Sequence, residues 1–165
     1  MKNYLIALFF ILANLPAHAV DVGKQAPDFS LPSVTNGTQK IKSTDYKGLV
    51  IYIDFWASWC LPCARSFPEL NKIYEEFQPY GFEVLAVGID DNQQDAIRFL
   101  NKYPAKFITL HDKNSAVAEL YRIPGMPTGY LIGTDGKVKK ILVGLSTEKG
   151  QLELTDAIRK ELGIN

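Results

Sequence analysis

Cysteine and histidine are scarce: the chain of 165 residues has two of each. Tetrahedral zinc takes about four ligands, and His18 and His111 lie far in sequence from Cys60 and Cys63. A structural zinc knuckle is therefore not supported. Neither sign of charge is in excess, with 18 basic and 18 acidic residues. That balance gives no basis for binding nucleic acid or an anionic membrane surface. Internal repeats, low-complexity tracts and a second domain boundary are all lacking. One apolar run stands out, Tyr4 to Leu15, broken only by Asn14. It falls short of the ~20 residues that span a bilayer as a helix.

That run has a different meaning. Lys2 precedes it, and Pro16 followed by Ala17-His18-Ala19 closes it. A positive start, an apolar middle and a small-x-small ending form a cleavable secretory signal. The sequence thus predicts a signal peptide over residues 1–19 and one domain over residues 20–165. No cysteine follows the run, which argues against a lipid anchor. Export would place the chain in the periplasm, an oxidising compartment. A domain of this size can build a core without staples, which leaves both cysteines for chemistry. A monomer is expected.

What the sequence does contain is Ile51 to Pro68, IYIDFWASWCLPCARSFP. Ile51, Ile53 and Phe55 read as a buried strand, and Trp56 to Trp59 as a turn. Cys60 falls where the chain enters a helix, with Leu61 and Pro62 between it and Cys63. Proline suits a first helical turn, whose N–H groups have no intrahelical partner. A thiol there meets unpaired backbone N–H groups and the positive helix end, both of which favour thiolate. Two thiols this close can form a ring with each other. A buried structural disulfide is the bland alternative, but so short a loop gains little from closure. The pattern predicts thiol–disulfide exchange, with Cys60 attacking and Cys63 resolving. Trp59 abuts the nucleophile, and Trp56 reads as core.

Asp54 is a carboxylate inside an apolar strand, where acids are rarely found without a partner. Alternation turns it away from Ile53 and Phe55, beneath the helix that opens at Cys60. Burial would raise its pKa and make it a proton acceptor for Cys63. A water, or a hydroxyl such as Ser58 or Ser66, is the alternative partner.

The remaining elements follow from periodicity. Phe29 to Leu31 and Gln39 to Ile41 flank Asn36-Gly37 as a short hairpin, with Pro32 confining the first run to an edge. Phe67, Leu70, Ile73, Tyr74 and Phe77 recur at helical spacing, with Pro68 expected to kink the helix. Phe82 to Ile89 reads as a central strand covered on both faces. Asp90-Asp91-Asn92 caps a helix around Ala96 to Leu100, and Lys106 to Leu110 is a further strand. Ser115 is expected to cap a short helix to Leu120. Gly129 to Ile132 and Val138 to Val143 form a hairpin through Thr134-Asp135-Gly136. Thr147 caps a last helix whose inner face is Leu152, Leu154, Ala157, Ile158 and Leu162. The order, after the hairpin, predicts an α/β fold: a central mixed sheet with helices on both faces. His111 begins the polar stretch HDKN and is expected at the surface.

DFWASWCLPC resembles the active-site signature of the thioredoxin superfamily. The ordered set APDFSL, DFWASWCLPC, FPEL and PGMPTGYLIGTDGKV is similar to the TlpA/ResA-like periplasmic reductases, over nearly all of residues 23 to 145. The resemblance implies a thioredoxin-like fold with an N-terminal β-hairpin and an extra βαβ insertion. It implies a cis-proline at Pro127 facing the cysteines, with Met126 and Pro127 contacting an extended substrate peptide. It also matches Asp54 to the buried aspartate of thioredoxin. The lysine partner of that aspartate maps near Ala86, so the pairing is absent here. The glutamate that many TlpA/ResA-like proteins carry after the second cysteine is replaced by Ser66.

Resemblance further implies a reductase direction, a membrane thiol-electron donor, and protein clients such as apocytochrome c or copper-site cysteines. No cofactor is expected beyond the redox-active Cys60–Cys63 pair. Peroxiredoxins share an APDFSL-like opening, but their P-x-x-x-T-x-x-C motif is missing. A copper-delivery module using Cys60, Cys63 and His111 is the alternative function. The copper chaperones of this fold use C-x-x-x-C, whereas this chain has C-x-x-C.

Overall fold

The apolar runs around Asp54 and after Phe82 become the two central strands. The computed structural model describes residues 20–164, so the expected leader over residues 1–19 lies outside the described residues. The elements run β1 (Ser30–Pro32), β2 (Lys40–Lys42), β3 (Val50–Trp56), α1 (Leu61–Phe77), β4 (Phe82–Gly88) and α2 (Gln93–Lys102). They continue β5 (Ile108–His111), α3 (Ala116–Tyr121), β6 (Thr128–Ile132), β7 (Val138–Val143) and α4 (Glu148–Leu162). Five strands form one sheet in the order β5-β4-β3-β6-β7. The β3–β4 and β4–β5 pairs are parallel, and β3–β6 and β6–β7 are antiparallel. This is the expected mixed sheet.

Strand alternation sorts the core into two layers. From β3, Tyr52 and Trp56 pack with Cys63, Phe67 and Leu70 of α1, Phe99 of α2, and Leu154 and Ile158 of α4. Ile51, Ile53 and Phe55 point the other way, onto Val117, Ala118 and Tyr121 of α3 and Phe29 and Leu31 of the hairpin. Helices therefore cover both faces. Trp56 is core, its ring 5.2 Å from Phe67 and 4.8 Å from Phe99 between centroids. Burying a side chain of this kind contributes roughly 1.5–3 kcal/mol, so the aromatic cluster fixes how α1 sits on β3.

The N-terminal hairpin is a separate two-stranded sheet, with Leu31 opposite Ile41. It reaches the main sheet through a Ser33–Leu110 bridge and a Val34 N–H to Thr109 carbonyl bond. Pro32 lies in β1, an edge strand that tolerates its missing donor. Asn92 and Thr147 cap α2 and α4 through their side chains, accepting from Gln94 N–H and Gly150 N–H.

Two local expectations are corrected. Ser115 does not cap α3: it sits in left-handed backbone at φ 55° and makes no capping bond. Asp112 does the work from further back, its Oδ2 accepting from both Val117 and Ala118 N–H at 2.9 Å. His111 is not at the surface. It ends β5, is buried, and donates its Nε2–H to the Asp90 carbonyl at 2.6 Å. A carbonyl can only accept, so that contact fixes the proton on Nε2.

Candidate active site

Strand β3 runs out at Trp56, and four residues later the chain enters α1. Cys60 is the N-cap of that helix, with Pro62 in the first turn. Its Sγ accepts the Cys63 N–H at 3.2 Å, so the sulfur occupies the place a serine or aspartate oxygen takes in an ordinary cap. Cys60 and Cys63 are joined as a disulfide, Cα to Cα 5.3 Å. Cys60 keeps 5 % of its surface and Cys63 none. The outer thiol of the pair is thus the one at the helix entry. On either side of it Trp59 and Leu61 are exposed, at 69 % and 67 %. They border a groove that continues along Phe99, Lys102 and Tyr103 of the α2 region.

The turn before Cys60 is held by a residue with no assigned part in the sequence reading beyond capping. Asp90, just past β4, accepts the Ser58 hydroxyl at 2.6 Å and the Ser58 N–H at 3.1 and 3.2 Å. Its signal in the sequence is only its place after the central strand. Ser66 donates to the Cys63 carbonyl at 2.9 Å. Both hydroxyls considered as partners for Asp54 are therefore committed elsewhere.

Asp54 is fully buried, and neither of its oxygens has a hydrogen-bond partner. It lies on the α1 side of β3, paired across to Ala86 and Gly129. Burial alone pushes its pKa from the ordinary 3.8 to about 8. A carboxyl so placed can change protonation near neutral pH beneath the helix that carries Cys63.

Pro127 precedes β6, and Thr128 pairs with Phe55 at the end of β3 from which the chain turns toward Cys60. The Met126–Pro127 bond is cis. Pro127 is buried and its carbonyl accepts from Gly144 N–H. Met126 is half-buried against the cluster that contains both cysteines. The copper set is not assembled: among the described residues no group of three or more His, Cys, Asp or Glu could hold a metal ion. A cavity of about 260 Å³ bordered by Pro27, Ile51, Ile53 and Tyr121 opens on the opposite sheet face and takes no part in the thiol site.

Residues 22–141 match the AhpC/TSA family. The ResA thiol-disulfide oxidoreductase of Geobacillus thermodenitrificans is 33 % identical over 141 residues, covering 86 % of this chain and 80 % of that one. The chain belongs to the AhpC/TSA family, among its ResA-like members. The ResA of Oceanobacillus iheyensis is 34 % identical over 128 residues, 76 % of this chain and 67 % of its own. A Chlorobium tepidum structure described as a thiol:disulfide interchange protein DsbE superposes with a TM-score of 0.82 at 40 % identity. It covers 88 % of this chain and 100 % of that one. This ResA-like protein is a thiol-disulfide oxidoreductase, and protein thiols or disulfides are its substrates. The thioredoxin-like fold and the family read from its motifs both hold.

Among the described residues, no helix is long and apolar enough to cross a membrane. Tyr52 is the residue that reading the sequence passed over. It is a phenol two positions before Asp54, and its only sequence signal is a polar group inside an apolar strand.

Proposed function

We propose that the protein is an exported reductase of protein disulfides, with residues 1–19 as a removable leader and residues 20–165 as the working domain. One observation carries the reading: the outer thiol caps α1, and an unpartnered buried carboxyl lies on the α1 side of β3. Cys60 Sγ receives the Cys63 N–H at the positive helix end, which stabilises a thiolate there. That thiolate attacks one sulfur of a client disulfide. The client S–S bond breaks, a mixed disulfide forms, and one client thiolate leaves to take a proton from water.

Cys63 then gives its thiol proton to the Asp54 carboxylate and attacks Cys60 Sγ. The mixed bond breaks, the second client sulfur leaves as thiolate, and the Cys60–Cys63 disulfide closes. Two electrons have passed to the client. Met126 and Pro127 flank the client strand, and exposed Trp59 contacts it. A membrane thiol donor returns the electrons, and apocytochrome c or copper-site cysteines are fitting clients. The protein acts as a monomer, with the cysteine pair as its only redox group.

The reduction potential tests the direction. Equilibration of the Cys60–Cys63 pair with glutathione should give a value close to thioredoxin's, ~ −270 mV. A value near that of DsbA, ~ −120 mV, would make the protein an oxidant instead.

A further inference from the structure

Three buried polar groups share one face of β3 without a hydrogen-bond partner: Tyr52 Oη, the Asp54 carboxyl and Trp56 Nε1. Such groups are costly to bury singly and are found in groups when they serve one another. Register brings the first two together. Gly129 stands directly across from Asp54 on β6. A Cβ placed on Gly129 would lie 1.9 Å from Tyr52 Oη. The phenol therefore occupies the very space that a side chain opposite Asp54 would fill. Opposed Cβ positions on paired strands are ~4.5–5.5 Å apart, so the Tyr52 phenol and the Asp54 carboxyl are neighbours that make no direct hydrogen bond.

We infer that Tyr52 is a positioning residue for Asp54, its phenol donating through one bridging water to the carboxylate and holding it ready to accept the Cys63 proton. Tyr52 keeps its own proton throughout: burial and the neighbouring Asp54 both push its pKa well above the usual 10. The proton from Cys63 goes to Asp54 and leaves from there, so Tyr52 is a donor and never an acid in the cycle. From the β4 side the position opposite Asp54 is Ala86, which offers nothing polar, so the phenol on the β6 side is the polar neighbour.

The surroundings leave few rivals for this role. From β4 the pair faces Val84 and Ala86, and from β6 Gly129 and Leu131. The core cluster that Tyr52 joins on this face also holds Leu154 and Ile158 of α4, Ala96 and Phe99 of α2, and Cys63 of α1. Ser66 is turned to the Cys63 carbonyl, and Asp90, the next buried carboxylate, is held by Ser58. His111 is held by the Asp90 carbonyl.

The inference rests on Asp54 as proton acceptor, so its test has two independent readings on the full chain. The first is the titration of the Asp54 carboxyl band by infrared difference spectroscopy in the oxidised protein, which involves no turnover. Losing a donor to a charged acceptor should move that titration upward by about one pH unit in Tyr52→Phe. The second is the pH profile of mixed-disulfide closure, followed by rapid quench and mass spectrometry between pH 5 and 9. Closure by Tyr52→Phe should slow about tenfold at pH 7, and the effect should vanish in an Asp54→Asn background. An unmoved carboxyl titration overturns the Tyr52 role, whatever the rates do. A shifted titration with closure unaffected by Asp54→Asn would keep the pair and remove the proton-acceptor reading. Should Tyr52→Phe fail to fold, 3-fluorotyrosine placed at position 52 keeps the test open. Its fluorine resonance should follow the Asp54 titration and lose that step in Asp54→Asn; a resonance that never follows it refutes the pair.

Discussion

The Ser58 hydroxyl lies 2.6 Å from Asp90 Oδ1, and the Ser58 N–H reaches both oxygens of the same carboxylate. One side chain past β4 thereby ties down the turn that delivers Cys60. Hydrogen bonds to a charged group contribute ~1.5–3 kcal/mol each way they are cut. Asp90→Ala should lower stability by about 2 kcal/mol, read by urea unfolding of the oxidised protein. It should also slow attack by Cys60 while leaving that residue's reactivity with small alkylating agents intact. An unchanged unfolding midpoint would show that the turn is held by packing alone.

Asp54 makes stability depend on pH in a set direction. Its pKa rises from 3.8 in the ordinary state to about 8 when folded, so the folded chain keeps a proton that the unfolded chain releases. Stability from this group is fully present below pH 4, declines as pH rises through the interval, and levels off above pH 8. The full decline is on the order of 5 kcal/mol. Asp54→Asn removes it. The variant should match the wild type near pH 4 and exceed it increasingly toward pH 8 in urea unfolding. A difference that stays constant across that range contradicts the buried, neutral carboxyl.

The cap of α3 gives a paired contrast. Asp112→Ala removes the acceptor of two helical N–H groups and should cost about 1–2 kcal/mol. Ser115→Ala should cost little, because its side chain makes no capping bond. Ser115→Gly should stabilise by up to ~1 kcal/mol, since φ 55° favours glycine. Thermal unfolding of the three variants checks the ranking; a Ser115→Ala loss as large as that of Asp112→Ala contradicts it.

The sheet was legible because its strands are long apolar runs, and the cysteine pair because C-x-x-C at a helix entry has few other uses. Asn92 and Thr147 were readable as caps for the same local reason. What stayed hidden depends on contacts across the fold. HDKN looks exposed by polarity, yet His111 satisfies its Nε2–H on a carbonyl 21 residues back and can be buried. Ser115 was the nearer cap by position, but left-handed backbone turned it aside and Asp112 reached the same N–H groups. Alternation alone sets Tyr52 and Asp54 on one face of β3, but the room for the phenol needed the β3–β6 register, which sets Gly129 opposite the carboxylate. Nothing local in either strand encodes that pairing.

The division of labour between the two thiols is the centre of the account, and trapping measures it directly. Attack needs a thiolate with access, whereas resolution needs only nearness to the new bond. Cys60 caps α1 and keeps some exposure, and Cys63 is fully buried one turn inside. Reduced Cys63→Ser protein incubated with a disulfide-bonded client should accumulate a covalent adduct at Cys60. Mass spectrometry should find it, and dithiothreitol should release it. Cys60→Ser should form none. An adduct on Cys63 in the Cys60→Ser protein, with none in Cys63→Ser, would reverse the assignment.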